Sequence, residues 1–345
     1  MGIILSGHTA KICAIGIWHL GSVVSACLAD MGYSVVGVDK DRERVERLNN
    51  GIPPLYEPGL DLLFKRNIEL KRLNFTTDLA SAVKGTRYIL ITFDTPVDAK
   101  DEVDTSEILT TCRALAQHLE NNSIVVVSSQ VPVGTCDQMR SIIKEHNNLI
   151  EFDIAYSPEN LRLGQAIECF KNPGRIVIGA DRESTLDMVE QLFSVIPAPK
   201  LRMGLRSAEM TKHALNSFLA TSISFINEIA NLCDEVGADA MEVSEGLRTD
   251  HRIGKGAPLH PGLGFSGGHL ARDLKILKGL GSKLGYETHL IDGVLKVNDE
   301  QNRSVARKLE RILGSLRGLS VGVLGLTYKP GTSTLHRSAA LEIIR

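Results

Sequence analysis

Short, continuous apolar runs separated by helix-like stretches mark the first two hundred positions of the chain. The run Ile12-Cys13-Ala14-Ile15 reads as a buried strand leading into Gly16. A helical pattern follows from about Gly21 to Met31, and a second strand at 34–38 ends at Asp39. Together they predict a βαβ unit with short connections, the start of a parallel sheet. Further apolar runs at 88–92, 123–127, 154–156 and 175–178 extend this to a doubly wound α/β domain.

Near residue 205 the pattern changes. Positions 207–236 contain no strong helix breaker and predict one long helix, about 45 Å at 1.5 Å per residue. A helix of that length suits a connector or dimer spine between lobes. A Gly/Pro-rich loop at 254–268 leads to another helical stretch from Ala271. From Leu319 the strand pattern restarts as Ser320-Val321-Gly322-Val323-Leu324, with a loop and helix to Arg345. A lone βα unit cannot bury both of its faces, so this segment reads as the start of a second, truncated domain. The expected organisation is a Rossmann-like domain over 1–205, a central helical region over 206–315, and the beginning of a C-terminal domain over 316–345.

Length supports more than one domain, because 345 residues exceed one ordinary core. The apolar and charged fractions, 43% and 23%, are those of a soluble globular protein. No run approaches the roughly 18 apolar residues of a membrane span, and residues 1–10 lack the features of a signal peptide. A cytoplasmic address is therefore expected, with no membrane partner. The six cysteines are scattered without metal-like spacing and fit reduced, buried thiols, so no metal site is expected. A net charge of -2 without a long basic run argues against a nucleic-acid partner.

The segment Gly16-Ile17-Trp18-His19-Leu20-Gly21 follows a strand and opens a helix, and Asp39 closes the next strand. In this Rossmann context, backbone amides and the helix N-terminus hold a pyrophosphate. Asp39 would accept hydrogen bonds from the ribose hydroxyls, which favours NAD over NADP. Trp18 stands where the middle glycine would let the backbone come closest to the phosphates. The competing reading is a Rossmann fold with an occluded or weakened cofactor site.

Several segments together resemble the UDP-glucose/GDP-mannose dehydrogenase family. They are Pro54-Leu55-Tyr56-Glu57-Pro58-Gly59-Leu60, Thr95-Pro96, Val131-Pro132-Val133-Gly134-Thr135 and Ser157-Pro158-Glu159-Asn160-Leu161. Further along stand Ala208-Glu209-Met210-Thr211-Lys212, Gly264-Phe265-Ser266-Gly267-Gly268-His269 and Gly325-Leu326-Thr327-Tyr328-Lys329-Pro330. The resemblance implies an NAD domain, a helical dimerisation region that makes a homodimer, and a second Rossmann-like domain for the nucleotide, most of it absent here. It also implies a double oxidation of a sugar primary alcohol, carried on a loop cysteine as thiohemiacetal and then thioester. At the cofactor it places Gly16, Trp18, Gly21, Asp39, Arg44, Thr95, Pro96 and Gln130.

His269 occupies the position of that cysteine, and no other cysteine lies within twenty residues. A helix N-terminus favours an anion and pushes an imidazole toward its neutral form. The thioester route is then closed, and the bland alternative is a loop histidine without chemistry. Glu209, Lys212, Asn216 and Asn227 follow a helical stripe, and the resemblance gives Lys212 and Asn216 the role of oxyanion stabilisers. Asp273 would orient water or Lys212, and Glu159 matches a base near the sugar carbon. Gln130 and Leu163 stand where the family has a threonine and a second carboxylate. The departures thus cluster on the second half-reaction. For the substrate the resemblance implies Arg252, reaching the partner subunit's sugar nucleotide, together with Phe265, Gly267 and Lys329. His336 stands where an arginine is usual, with Arg337 beside it.

These residues support two functions. One is an NAD-linked oxidoreductase on a nucleotide sugar, performing one two-electron oxidation or a full oxidation without a thiol. The other is a non-catalytic relative that binds a sugar nucleotide or a partner protein.

Overall fold

The computed structural model describes residues 10–95, 103–159, 161–327, 335 and 338–345. These fall into two compact units, one of residues 10–95 with 103–212, the other from His213 onward.

The first unit opens with β1 (Lys11–Ile15), α1 (His19–Asp30), β2 (Ser34–Val38), α2 (Arg42–Asn49) and α3 (Leu60–Glu69). It continues through β3 (Leu73–Thr76), α4 (Leu79–Val83), β4 (Tyr88–Ile91), α5 (Ser106–Leu115), β5 (Ser123–Val127) and α6 (Thr135–His146). Then come β6 (Phe152–Tyr156), α7 (Ala166–Lys171), β7 (Ile176–Ala180), α8 (Glu183–Leu192), β8 (Lys200–Met203) and the start of α9 (Leu205–Val236). The described strands make one eight-stranded sheet in the order β3-β2-β1-β4-β5-β6-β7-β8. Every pairing is parallel except β6 with β7, which is antiparallel at Ala155↔Ala180 and Tyr156↔Gly179.

Alternation along β1 explains the layering. Ile12 and Ala14 enter one core while Cys13 and Ile15 enter the other, because successive side chains leave a strand on opposite faces. Both faces are covered, so the central strands are apolar throughout rather than alternating. The strand order reverses at β1, which pairs with both β2 and β4. A doubly wound sheet opens its ligand crevice at the carboxyl ends of strands at such a switch point.

The second unit contains the rest of α9, α10 (Ala240–Thr249), α11 (His269–Leu284), α12 (His289–Leu313) and α13 (Ala339–Ile344). Its small core gathers Ala220, Phe265, Leu274 and Val294. The long helix expected at 207–236 runs over Leu205–Val236. The helix expected from Ala271 begins at His269, with Gly268 as its N-cap.

The strand expected at 320–324 is not formed. Those residues lie outside any regular element, and Leu324 is fully exposed. An alternating apolar segment becomes a strand only when a neighbour takes its amides and carbonyls, and none does so among the described residues. No helix of the described residues is long and apolar enough to cross a membrane.

Candidate active site

The turn after β1 has the backbone geometry of a dinucleotide loop. Gly16 adopts φ +92°, and a Cβ there would lie 2.7 Å from the Phe93 ring. A Cβ on Gly21 would lie 2.1 Å from the Gly16 carbonyl oxygen, so α1 can approach β1 only with glycine at that position. Asp39 is buried and accepts from the Ile17 amide at 3.1 Å, the Asp41 amide at 2.9 Å and Arg44 Nη1 at 2.8 Å. Trp18 does not fill the turn. The residue is 39% exposed, and its indole lies against the Arg44 guanidinium at 4.9 Å, a cation–π contact. Gly16, Trp18, Asp39, Arg44, Asp94 and Glu107 line a cavity of about 380 Å³.

At the carboxyl edge of the sheet, Thr95 Oγ1 donates to the Gln130 carbonyl at 2.7 Å, joining the segments after β4 and β5. It is the main chain of Gln130 that makes this tie. Pro96 lies outside the described residues.

Two buried carboxylates fix the loops around this edge. Glu57 accepts from the Gly164 amide at 2.9 Å, the Ala166 amide at 2.8 Å and His19 Nε2 at 3.1 Å. It thereby ties the start of α7 to the first residue of α1. Glu209 accepts from the Gly134 amide at 2.7 Å and the Cys136 amide at 3.0 Å, closing the start of α6. Glu209 thus serves the frame. The same holds for Asn227 on the same expected stripe, whose Oδ1 accepts from the Gly262 amide at 2.8 Å.

Glu159 follows β6 in the loop before α7. Lys212 Nζ donates to its main-chain carbonyl at 3.0 Å, which fixes the ammonium beside this loop. Burial pushes the Glu159 carboxyl up to about 7, against the opposing pull of the Lys212 charge. A carboxyl with that value can take and return a proton near neutral pH.

In the second unit Asp273 is fully buried on α11 and binds two residues of α9. His213 Nδ1 lies 2.7 Å from its Oδ1, and Asn216 Nδ2 donates to its Oδ2 at 2.5 Å. The contact orients the Asn216 amide, whose second N–H and carbonyl point elsewhere. A hydrogen bond between His213 Nδ1 and Asp273 Oδ1 calls for the His213 tautomer that donates from Nδ1. Sequence reasoning misses His213. The signal lies in its spacing, three residues before Asn216 and hence on the same helix face.

His269 is the first residue of α11 and is exposed. Its Nδ1 lies 3.4 Å from Nη2 of the buried Arg272. A guanidinium can only donate, so a hydrogen bond across this long contact would be accepted at Nδ1. The preceding loop is pinned by α12: the Phe265 amide donates to Asn298 Oδ1 at 2.8 Å, and Gln301 Nε2 to the Gly262 carbonyl at 2.7 Å. Gly264 and Gly267 adopt φ of +88° and +78°, and a Cβ on Gly264 would lie 2.7 Å from Asn298 Oδ1. Arg252 is exposed and forks onto Asp250 through Nε at 3.0 Å and Nη2 at 2.7 Å. Lys329, His336 and Arg337 lie outside the described residues.

Residues 10–196 match the NAD binding domain of the UDP-glucose/GDP-mannose dehydrogenase family, and residues 206–300 match its central domain. UDP-glucose 6-dehydrogenase TuaD of Bacillus subtilis (strain 168) is 38% identical over 335 residues, 97% of this chain and 72% of that protein. UDP-glucose 6-dehydrogenase of Rhizobium meliloti (strain 1021) is 38% identical over 343 residues, covering 97% of this chain and 78% of the relative. The solved UDP-glucose dehydrogenase of the hyperthermophilic archaeon Pyrobaculum islandicum superimposes with a TM-score of 0.91 at 36% identity, over 99% of this chain and 80% of that one. The chain belongs to the UDP-glucose/GDP-mannose dehydrogenase family, and NAD is the cofactor of its first domain.

Proposed function

We propose that this family member oxidises the primary alcohol of a nucleotide sugar once, releasing an aldehyde, because His269 stands where the family uses a cysteine. The names of the relatives support a UDP-hexose as substrate. The observation that carries the reading is His269 itself, a side chain without sulfur at the first position of α11, directly after the glycine-rich loop.

NAD, when bound, supplies the hydride acceptor. The remaining work belongs to the chain. Removing a hydride from carbon leaves the hydroxyl proton to be taken up, and Glu159, raised to about 7, suits that base. As the carbonyl forms, negative charge on oxygen is stabilised by the Lys212 ammonium and the Asn216 amide, one turn apart on α9. Asp273 is a positioning residue, holding Asn216 with one oxygen while His213 occupies the other. A second oxidation needs a nucleophile that stays on the carbonyl carbon while another hydride leaves. Thiolate does this, but imidazole holds an aldehyde poorly.

The reading includes a homodimer built on α9. Phe218, Phe225 and Leu232, seven residues apart, are 65%, 46% and 59% exposed, an apolar row that a second copy would cover. A monomer by light scattering at micromolar concentration contradicts it. It also assigns 206–315 to dimerisation and catalysis and 316–345 to the beginning of a nucleotide-sugar domain. Unpaired cysteines support a reducing, cytoplasmic location.

Trp18 in the middle-glycine position favours a second reading, a member that binds a nucleotide sugar or partner protein without turnover. Incubation with NAD and a panel of UDP- and GDP-sugars, with a hydrazide to trap aldehyde, separates the two. NADH with a trapped aldehyde supports the oxidoreductase. Bound NAD without NADH from any sugar supports the second reading.

A further inference from the structure

The N-terminus of α1 is the place where a Rossmann unit receives the pyrophosphate of its cofactor. In this chain that end already has a carboxylate beside it. Asp94, three residues beyond β4, accepts a hydrogen bond from the Leu20 amide at Oδ2, 3.3 Å away. Leu20 is the second residue of α1. Asp94 is exposed and lines the same cavity as Gly16, Trp18, Asp39 and Arg44. The backbone features of the turn are intact, with Gly16 at φ +92° and Gly21 against the Gly16 carbonyl. The carboxylate is therefore added to a turn that keeps the Gly16 and Gly21 geometry of a phosphate loop.

We propose that Asp94 sets the affinity and the ligand preference of the cofactor site by competing with the pyrophosphate for the start of α1. The inference rests on NAD as the cofactor. An anionic pyrophosphate arriving there must displace the Asp94 carboxylate from the Leu20 amide and then sit near a like charge. The adenosine end meets neither obstacle, because its ribose is read by Asp39, which is fixed separately by Arg44 and two backbone amides. The site consequently discriminates against the diphosphate part of a ligand and leaves the nucleoside part alone. Replacing the carboxylate with an amide of the same shape removes the repulsion and leaves an acceptor for Leu20.

Trp18 is the only tryptophan of the chain and lines the cavity, so its fluorescence reports binding directly. NAD, ADP-ribose and adenosine are titrated into the unaltered protein, Asp94→Asn and Asp94→Ala, after thermal melting shows that all three fold alike. The expected result is binding of NAD and ADP-ribose tightened about tenfold in both variants, the effect of one partly screened like charge, with adenosine affinity unchanged. Equal NAD affinity in all three proteins overturns the proposal. So does a parallel tightening of adenosine, which would mean a general change in the loop. If none of the proteins binds NAD or adenosine, the cofactor reading fails and the proposal with it. If the unaltered protein binds NAD and the variants bind it less tightly, Asp94 is a support of the loop and the proposal is likewise overturned.

Discussion

Two helix starts in the first unit each meet a carboxylate, with opposite results. At α6 the side chain is Glu209, fully buried and bonded to two amides at 2.7 and 3.0 Å. At α1 it is Asp94, exposed, with a 3.3 Å bond to one amide of that helix. The helix dipole favours an anion at both ends. Burial separates the two. Glu209 has no water to replace its two short bonds, so its removal orphans buried donors. Asp94 is exposed, and its one bond to the start of α1 is the longer of these contacts.

The largest expected effect is on the buried end. Glu209→Ala should lower stability by about 3 kcal/mol, the scale of two charge-assisted hydrogen bonds lost with their donors left unpaired. Asp94→Asn should stay within about 0.5 kcal/mol, as for an exposed position. Urea denaturation of both variants measures the contrast, and similar losses would remove the distinction between frame and replaceable contact.

Next in size is the reacting group. Lys212→Ala should reduce kcat about 10²-fold or more, on the scale of one lost oxyanion donor. Steady-state NADH formation tests this, and a loss under threefold would take Lys212 out of the chemistry.

Glu159 gives a pH signature. With its carboxyl raised to about 7, a base that must be ionised makes kcat fall about tenfold per pH unit below that value. The stability effect has the opposite sense. The raised carboxyl stabilises the fold below its ordinary value, and this contribution is lost as pH rises through about 7. Glu159→Gln should flatten both profiles, and an unchanged rate profile would assign the base elsewhere.

The smallest effect is expected at His269. His269→Ala should cost about two- to tenfold in kcat, the scale of a neutral hydrogen bond. A loss equal to that of Lys212→Ala would make the imidazole an essential catalyst.

Legibility in the sequence depends on how each feature is encoded. β1, α1 and β2 are readable because buried parallel strands are apolar throughout and the turn between them is marked by Gly16 and Gly21. β3 and β8, at the two edges of the sheet, carry mixed sequences such as LNFT and KLRM, and periodicity gives no signal there. α12 packs Ile291, Val294 and Leu295 on the small second core, and only the short connection at 285–288 parts it from α11, so the two helices merge in the sequence pattern. The apolar alternation at 320–324 points to a strand because local pattern carries no information about whether a neighbouring strand is present. At the site, Lys212, Asn216, Asp273 and His269 stand out through family motifs. The Asp94 contact spans 74 residues and the Asp273–His213 contact 60, so only the fold reveals them.

The central claim is that oxidation stops after one hydride because His269 cannot hold the aldehyde. The most direct test is to consume a limiting amount of the nucleotide sugar with excess NAD and count NADH per sugar at completion. About one NADH per sugar with an aldehyde or its hydrate as product is the predicted result. Two NADH per sugar with the acid as product would contradict it.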